Sequence, residues 1–384
     1  MSYPLVFLGD VADFINGVAF KPEDWGTEGK PIIRIQNLND PSKEYNYTER
    51  EVKDTNIARK GDLLVSWSAS LGVYEWDGQD ACINQHIFKV VPNNEKIDKT
   101  YLKRALELSI VEMESQVHGA TMKHITRGKF LANKIPLPPL PEQRRIAAIL
   151  DQADALRQKR RQAIEKLDQL LQATFIDMFG DPVSNPKGFD VKKLSEQVDL
   201  IQIGPFGTQL HQEDYIENGI PLINPSHIKN GKIVPNLKLS VSQSKYGELS
   251  QYHLKLNDVL LGRRGEMGRC AVVTQKEVGW LCGTGSLFLR PNVEKINPFF
   301  LEILLSSDSI KRYLENVSQG QTMANLNKTI VGSIPLIAPS IEIQNKFFLI
   351  SEEINKMKTE LENSKNQVNN LFQSLQNQAF NGTL

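Results

Sequence analysis

Ile135-Pro136-Leu137-Pro138-Pro139-Leu140-Pro141-Glu142-Gln143 opens a long amphipathic stretch in mid-chain, and Ile334-Pro335-Leu336-Ile337-Ala338-Pro339-Ser340-Ile341-Glu342 opens a second one that runs to Leu384. At one constant offset the two stretches match position by position: Ile146 with Phe347, Ile149 with Ile350, Leu156 with Met357, Leu167 with Val368, Leu170 with Leu371, Gln172 with Gln373, Phe179 with Phe380. The segments before them also correspond. Gly61-Asp62-Leu63-Leu64 resembles Asn257-Asp258-Val259-Leu260, Phe88 and Pro92 resemble Phe288 and Pro291, and Gly119-Ala120-Thr121-Met122 resembles Gly320-Gln321-Thr322-Met323. The period is far too long for a solenoid repeat. It describes a tandem duplication of a globular unit plus a long helix, a chain able to form a pseudo-two-fold object without dimerising.

The bulk properties are those of an ordinary soluble protein. The length of 384 residues is enough for two or three domains with their own cores. Lys plus Arg and Asp plus Glu both number 45, so no overall basic charge announces a nucleic-acid partner, although the field that matters for binding is local. Three cysteines, Cys82, Cys270 and Cys282, lack CxxC spacing, which indicates neither a disulfide framework nor a zinc site. The start Met1-Ser2-Tyr3-Pro4 has no signal-peptide pattern, and no apolar run approaches the ~18 residues of a membrane span. These features predict a cytoplasmic protein.

The pattern divides the chain into residues 1–134, 135–181, 182–333 and 334–384. The first globular segment has β-rich runs at Pro31–Ile35, Asp62–Trp67 and Cys82–Val91, each bounded by turn residues, then a helical patch from Thr100 to Glu114. The second has strands at Gly219–Asn224, Asn257–Leu261 and Ser286–Arg290 and a helical patch at Pro298–Ser306. The Pro-rich stretch fixes entry into a helix from about Glu142 to Met178, since proline is tolerated in a first helical turn. Its apolar seam is Ile146, Ile149, Ala153, Leu156, Ala163, Leu167 and Leu170. The seam of the second helix is Phe347, Ile350, Ile354, Met357, Leu361, Ser364, Val368, Leu371 and Leu375, with the alternating steps of a coiled coil. Two matched seams favour an antiparallel pair, roughly 55 Å long at ~1.5 Å per residue, ended by Gly180-Asp181-Pro182 and Asn381-Gly382. The predicted class is α+β: two pseudo-symmetric mixed α/β domains joined by two long antiparallel coiled-coil helices. Frameworks match between the copies while loops diverge: Arg263-Arg264-Gly265-Glu266 stands where Trp67-Ser68-Ala69-Ser70 stands, which implies two related domains recognising different things.

Pro136-Leu137-Pro138-Pro139-Leu140-Pro141-Glu142-Gln143 before a long helix resembles the specificity subunit of type I restriction–modification systems. So do Ile203-Gly204-Pro205-Phe206-Gly207-Thr208 followed by Tyr215, Gly219-Ile220-Pro221 and Ile223, and the Gly-x-Thr-Met element before each Pro-rich turn. The first copy departs with Asn16-Gly17-Val18-Ala19-Phe20, and the second Pro-rich turn has Ser340-Ile341-Glu342 in place of the PEQ triplet. The resemblance spans the whole chain. It implies two target-recognition domains, each reading one half of a bipartite double-stranded DNA sequence, with the helices as spacer. It also implies two docked adenine-N6 methyltransferase subunits and motor/nuclease subunits, with S-adenosylmethionine, ATP and Mg belonging to those partners and no membrane involved. Duplex DNA is itself a two-fold partner.

Catalytic motifs point the same way. Asn185-Pro186-Lys187 and Asn224-Pro225-Ser226 do not fit an amino-methyltransferase tetrapeptide, Gly262 to Gly268 lacks G-x-G-x-x-G spacing, and no P-loop or metal-spaced histidine set occurs. The chain is therefore expected to carry no catalytic residue, metal or cofactor of its own. Base reading needs Arg, Lys, Asn or Gln on loops, and phosphate contacts need cations and small hydroxyls. The candidates are Arg34, Gln36, Asn37, Ser68, Ser70, His86, Lys123 and Arg127 in the first segment. In the second they are Thr208, Gln209, His227, Lys229, Arg263, Arg264, Arg269, Asn325 and Lys328. One of Arg263 and Arg264 is expected on a base edge and the other on a phosphate, with an ion pair to Glu266 as the competing reading. Subunit docking falls to Arg144, Arg145, Arg157, Arg161, Gln344, Asn345 and Phe348. The rival reading is a coiled-coil scaffold with two protein- or glycan-binding ends; a stand-alone methyltransferase is the third.

Overall fold

The computed structural model describes residues 3–116, 127–318 and 326–384. The chain packs into two compact units, one of residues 1–162 with 361–384 and the other of residues 163–360.

In the first unit an antiparallel four-stranded sheet runs Ala12–Asn16, Ile87–Pro92, Leu63–Ser66, Gly72–Glu75. Strand Leu63–Ser66 is buried throughout, because both of its faces are covered. Leu63 and Val65 point into a core with Phe88, Tyr101, Leu102 and Leu106, while Leu64 and Ile87 pack on Ile33, Ala58 and Ile83. Those last residues belong to a second sheet, ordered Asn46–Thr48, Lys30–Ile33, Ala81–Ile83, Ile57–Ala58. The second unit repeats the arrangement: Val198–Ile203, Ser286–Pro291, Val259–Gly262, Cys270–Val272 in one sheet, and Tyr215–Ile216, Ser240–Val241, Ile220–Ile223, Leu281–Cys282 in the other. In both second sheets one neighbouring pair is parallel, Lys30–Ile33 with Ala81–Ile83 and Ile220–Ile223 with Leu281–Cys282. The duplication legible in the sequence is thus a duplication of topology.

Three expectations need correction. The run Cys82–Val91 is two strands broken at residues 84–86, where the chain steps from one sheet to the other. The pairing of Phe88 with Phe288 is one residue out of register: Val65 faces Phe88, whereas its counterpart Leu261 faces Leu287. A one-residue slip flips the face, and Phe288 accordingly packs in the core between the two sheets. The helix seams also drift. Ile146, Ala147, Leu150 and Ala153 are buried, but Leu156, Leu170, Met357 and Leu371 are exposed, because each helix packs on one globular core and then the other and keeps no single buried stripe.

The long helices run Leu140–Phe179 and Ile341–Asn381, each followed by a glycine at positive φ, Gly180 and Gly382, the usual helix stop. Packing divides each helix between the units. In the first unit Phe372 and Ala379 lie in the core with Ile146 and Leu150. There the two helix segments run antiparallel: Arg145 donates to Leu384 O and Arg157 to Asn369 Oδ1. In the second unit Phe175 and Phe179 pack on Phe300 and Phe347, and Lys358 bonds Asp168 at 2.6 Å. A glutamine clasps each globule to its own helix. Gln143, fully buried, accepts from Asp98 N and donates to Lys96 O and Pro138 O; Gln344 accepts from Asn297 N and donates to Lys295 O and Pro339 O. The second copy therefore keeps the glutamine of the PEQ triplet. Among the described residues no helix is long and apolar enough to cross a membrane.

Burial pushes the carboxyl of Glu302, on helix Pro298–Ser306, up to about 7 from its ordinary 4.5. A folded-state pKa raised in this way stabilises the fold fully below pH ~4.5, and the contribution is lost as pH rises through about 7, a swing of about 3 kcal/mol at most. Glu302→Gln should therefore unfold at a higher temperature relative to wild type at pH 8 than at pH 5. An unfolding difference identical at the two pH values would show that Glu302 is ionised in the fold.

Candidate nucleic-acid interface

In the second unit the loops after Ile203, Ile223, Gly262 and Cys282 converge on one rim. Gly204 N–H donates to Ser286 O (3.0 Å), Gly283 N–H to Ile223 O (2.9 Å), Arg263 N–H to Gly285 O (3.0 Å) and Leu326 N–H to Arg263 O (3.1 Å). Asn224 Oδ1 accepts from Gly285 N–H, and Arg269 donates to Pro225 O. Gly204 has no substitute here, since a Cβ on it would lie 1.9 Å from Gly283 O.

The first unit builds the same rim from different side chains. Gly17 N–H donates to Ile87 O, Val18 N–H to Ile83 O, Asn84 N–H to Ile33 O and Trp67 N–H to His86 O. A Cβ on Gly17 would lie 2.2 Å from Asn84 O, so Gly17 corresponds to Gly204 and Asn84 to Gly283. Ala69 and Gly265 both sit at positive φ, 60° and 81°, at matching points of the loop after the central strand. That position favours glycine. The equivalence of Trp67-Ser68-Ala69-Ser70 with Arg263-Arg264-Gly265-Glu266 holds at the level of backbone geometry.

The candidate side chains separate on this frame. Exposed in the second unit are Thr208, Arg264 and Lys328 of the rim, with Lys328 Nζ 3.4 Å from Gln202 Oε1, and Lys229 in the hairpin Ile228–Ile233. Gln209 is half-buried and its carbonyl accepts from Tyr252 OH at 2.6 Å. Arg269 is half-buried and pairs with Glu266. Glu266 thus neutralises Arg269 and not the Arg263-Arg264 pair. Arg263 is a correction: it is 6% exposed and its Nε donates to Leu326 O at 2.8 Å. Burial, then the adjacent Arg264 charge, pushes its pKa down. His227 is a second correction, buried with Nδ1 against Leu222 O and Asn224 N, and burial pushes its pKa down from the ordinary imidazole value.

In the first unit Gln36 and Arg127 are exposed, with Arg127 donating to Phe14 O. Arg34 lies over the Trp25 ring and donates to Asn46. Asn37 is a third correction: it is 1% exposed, accepts from Arg34 N and donates to Lys43 O and Glu44 O, so it caps a loop. Ser68 and Ser70 are half-buried, and Ser70 O accepts from Ser66 Oγ. His86 is half-buried 5.6 Å from the Trp67 ring, and among the described residues its buried Nδ1 has no hydrogen-bond partner. Lys123 and Asn325 lie outside the described residues, as do both Gly-x-Thr-Met elements.

Of the docking candidates, Arg144 and Arg161 are exposed, while Arg145 is held by Glu142 and Leu384 O. Arg157 lies over Phe372 at 4.3 Å and bonds Asn369, so it serves the helix pair. Gln344 is corrected to the internal clasp described above. Asn345 accepts from Asn297, and Phe348 stacks on Phe299. Asn224 opens a loop segment, Asn224 to Lys229, that the sequence offers for DNA reading; its side chain instead organises the rim by accepting from Gly285 N–H, and its local signal is the Asn-Pro start of a short turn.

Residues 3–166 and 186–370 each match the type I restriction modification DNA specificity domain. The chain is 25% identical to the type I restriction enzyme EcoBI specificity subunit of Escherichia coli, over 100% of this chain and 86% of that one. It is 26% identical to the MjaVIII specificity subunit of Methanocaldococcus jannaschii, over 97% and 92%. The fold resembles the type I restriction–modification S subunit of M. genitalium, with a TM-score of 0.59 at 17% identity over 99% and 96% of the chains. It also resembles a chain from a structure concerned with complex assembly and conformational transition of the type I R-M system, with a TM-score of 0.60 at 19% identity over 100% and 98%. With both halves matched and the same topology built twice, the chain belongs to the type I restriction modification DNA specificity domain family.

Proposed function

We propose that this chain is the sequence-specificity subunit of a type I restriction–modification enzyme and performs no catalysis itself. Each rim reads one half of a bipartite, asymmetric duplex target. The long helices set the gap and carry two adenine-N6 methyltransferase subunits, with motor/nuclease subunits joining for restriction in the cytoplasm. S-adenosylmethionine, ATP and Mg serve those partners. The observation that carries the reading is one topology built twice with different rims: Gln85-His86 stands where Thr284-Gly285 stands, and Ser68 where Arg264 stands. Loops on a rigid scaffold are where recognition residues belong. Methylome sequencing of the host with and without the gene tests it, together with duplex titration. Loss of one bipartite modified motif and a salt-dependent, sequence-selective shift are expected. An unchanged methylome with no selective binding leaves the scaffold reading standing.

Two predictions follow the geometry. Arg264→Ala should relax discrimination of the second half-site by about tenfold, the scale of one arginine–guanine contact. Arg263→Ala should instead destabilise the second unit by about 1–3 kcal/mol, since it strands the buried Leu326 carbonyl. Titrations against cognate and scrambled second half-sites, paired with thermal melts, separate the two; equal effects on specificity would contradict the assignment. Inserting about four residues after Leu167, ~6 Å of helix, should lengthen the unspecified gap by roughly one to two base pairs. An active variant with the original gap would show that the helices do not set it.

A further inference from the structure

The loop Gly204-Pro205-Phe206-Gly207 presents a bare aromatic ring on the second rim. Phe206 is 57% exposed, although Pro205 before it and Leu210 after it are buried. The backbone beneath the ring is fixed. Gly204 is pressed on Gly283 and bonded to Ser286 O. Phe206 O accepts from Gln209 N–H at 2.9 Å and from Leu210 N–H at 3.3 Å. Gln209 Oε1 lies 3.4 Å from Phe206 N and is itself held by Tyr252 OH. Among the described residues, the other exposed large apolar side chains of this unit, such as Ile216, Leu237 and Leu256, fall outside the rim loops. The first rim has Ala19 at the matching position, also exposed and reaching no further than its Cβ.

A fixed turn that holds a phenyl ring in water, on a rim with exposed Arg264 and Lys328, leaves apolar surface unburied until a partner arrives. Base edges in the major groove offer hydrogen-bonding groups with one apolar exception, the thymine C5-methyl. On the base edges of that groove, a side chain without donors or acceptors has this one group to recognise. Resting on the DNA-reading function proposed above, we infer that Phe206 is a specificity-determining residue that packs on a thymine methyl of the second half-site.

The test uses the full chain assembled with its host methyltransferase subunits and duplexes carrying the modified motif. Each thymine of the second half-site is replaced singly by deoxyuridine, which removes only the methyl group. One such replacement should weaken wild-type binding roughly three- to tenfold. Phe206→Ala should lose about the same factor on the unmodified duplex and be indifferent to that replacement. Phe206→Leu, which keeps an apolar tip, should retain part of the response. First half-site discrimination should be unchanged in both variants, and hydrogen-exchange protection over residues 257–291 should match wild type, which reports that the second unit is folded. The inference is overturned if Phe206→Ala binds like wild type. It is also overturned if the variant responds to every deoxyuridine as wild type does, or if it fails to assemble with the methyltransferase subunits while selectivity persists, which makes Phe206 a protein contact. Absence of sequence selectivity in the wild-type complex would instead remove the proposed function itself.

Discussion

Asp258→Ala is expected to destabilise the second unit by about 3–5 kcal/mol, the largest effect of any single substitution considered. The Asp258 side chain is fully buried at the start of the central strand. It accepts from Arg290 Nε and Nη2, both at 2.8 Å, and from Lys255 N–H at 2.8 Å. Truncation strands a guanidinium that is only a quarter exposed, and a backbone donor with it, so the loss exceeds the net worth of the pair. Asp62 in the first unit is paired with Lys89 at 2.6 Å and is 27% exposed, so Asp62→Ala should cost roughly 1–3 kcal/mol. Hydrogen exchange resolves the units: peptides over residues 257–291 should lose protection in Asp258→Ala while those over 57–92 keep it. Full protection over 257–291 would refute the account.

Replacing residues 1–134 by the corresponding segment of a relative with a different target should change one half of the modified motif completely and leave the other intact. The structure sets a condition on the graft. Besides the Gln143 clasp, this segment is tied to the helix and to the strand before it: Leu5–Phe7 pairs with Lys134–Pro136, Tyr101 OH bonds Pro136 O at 2.8 Å, and Arg104 bonds Asp151 and Asp154. Arg104 is 6% exposed, so a donor lacking it leaves Asp151 without its partner, while Asp154 keeps Arg157. A donor that preserves these contacts should yield a hybrid motif by methylome sequencing. Simultaneous change of both halves would show that the two rims are not independent.

The scaffold was legible because its signals are local and repeated. The offset that aligns the long helices also aligns Gln143 with Gln344, and strand Val259–Gly262 reads as apolar because both its faces are covered. The rims were legible as loops but not residue by residue. Arg263 and His227 carry the chemistry of a base reader, yet the groups that bury them, Leu326 O and Leu222 O, are fixed by tertiary folding. Phe88 and Phe288 attract each other in alignment by identity, and only strand pairing shows that they face opposite sides of their sheets. Leu156 and Leu371 fit a heptad on paper, but each long helix serves two globular cores in turn and keeps no single buried stripe.

That division of the helices has a temporal consequence. Phe372 and Ala379 are core residues of the first unit, Phe380 lies 5.5 Å from Tyr101, and the last residues meet Arg145. A ribosome finishes residues 1–162 and must then make roughly 200 more before residues 361–384 emerge, a wait on the order of 10–40 s at ordinary elongation rates. The second unit, residues 163–360, is contiguous and can close as soon as it is synthesised. The half made first is therefore the half completed last, and through that interval the nascent chain carries an unfinished apolar seat for its own residues 361–384.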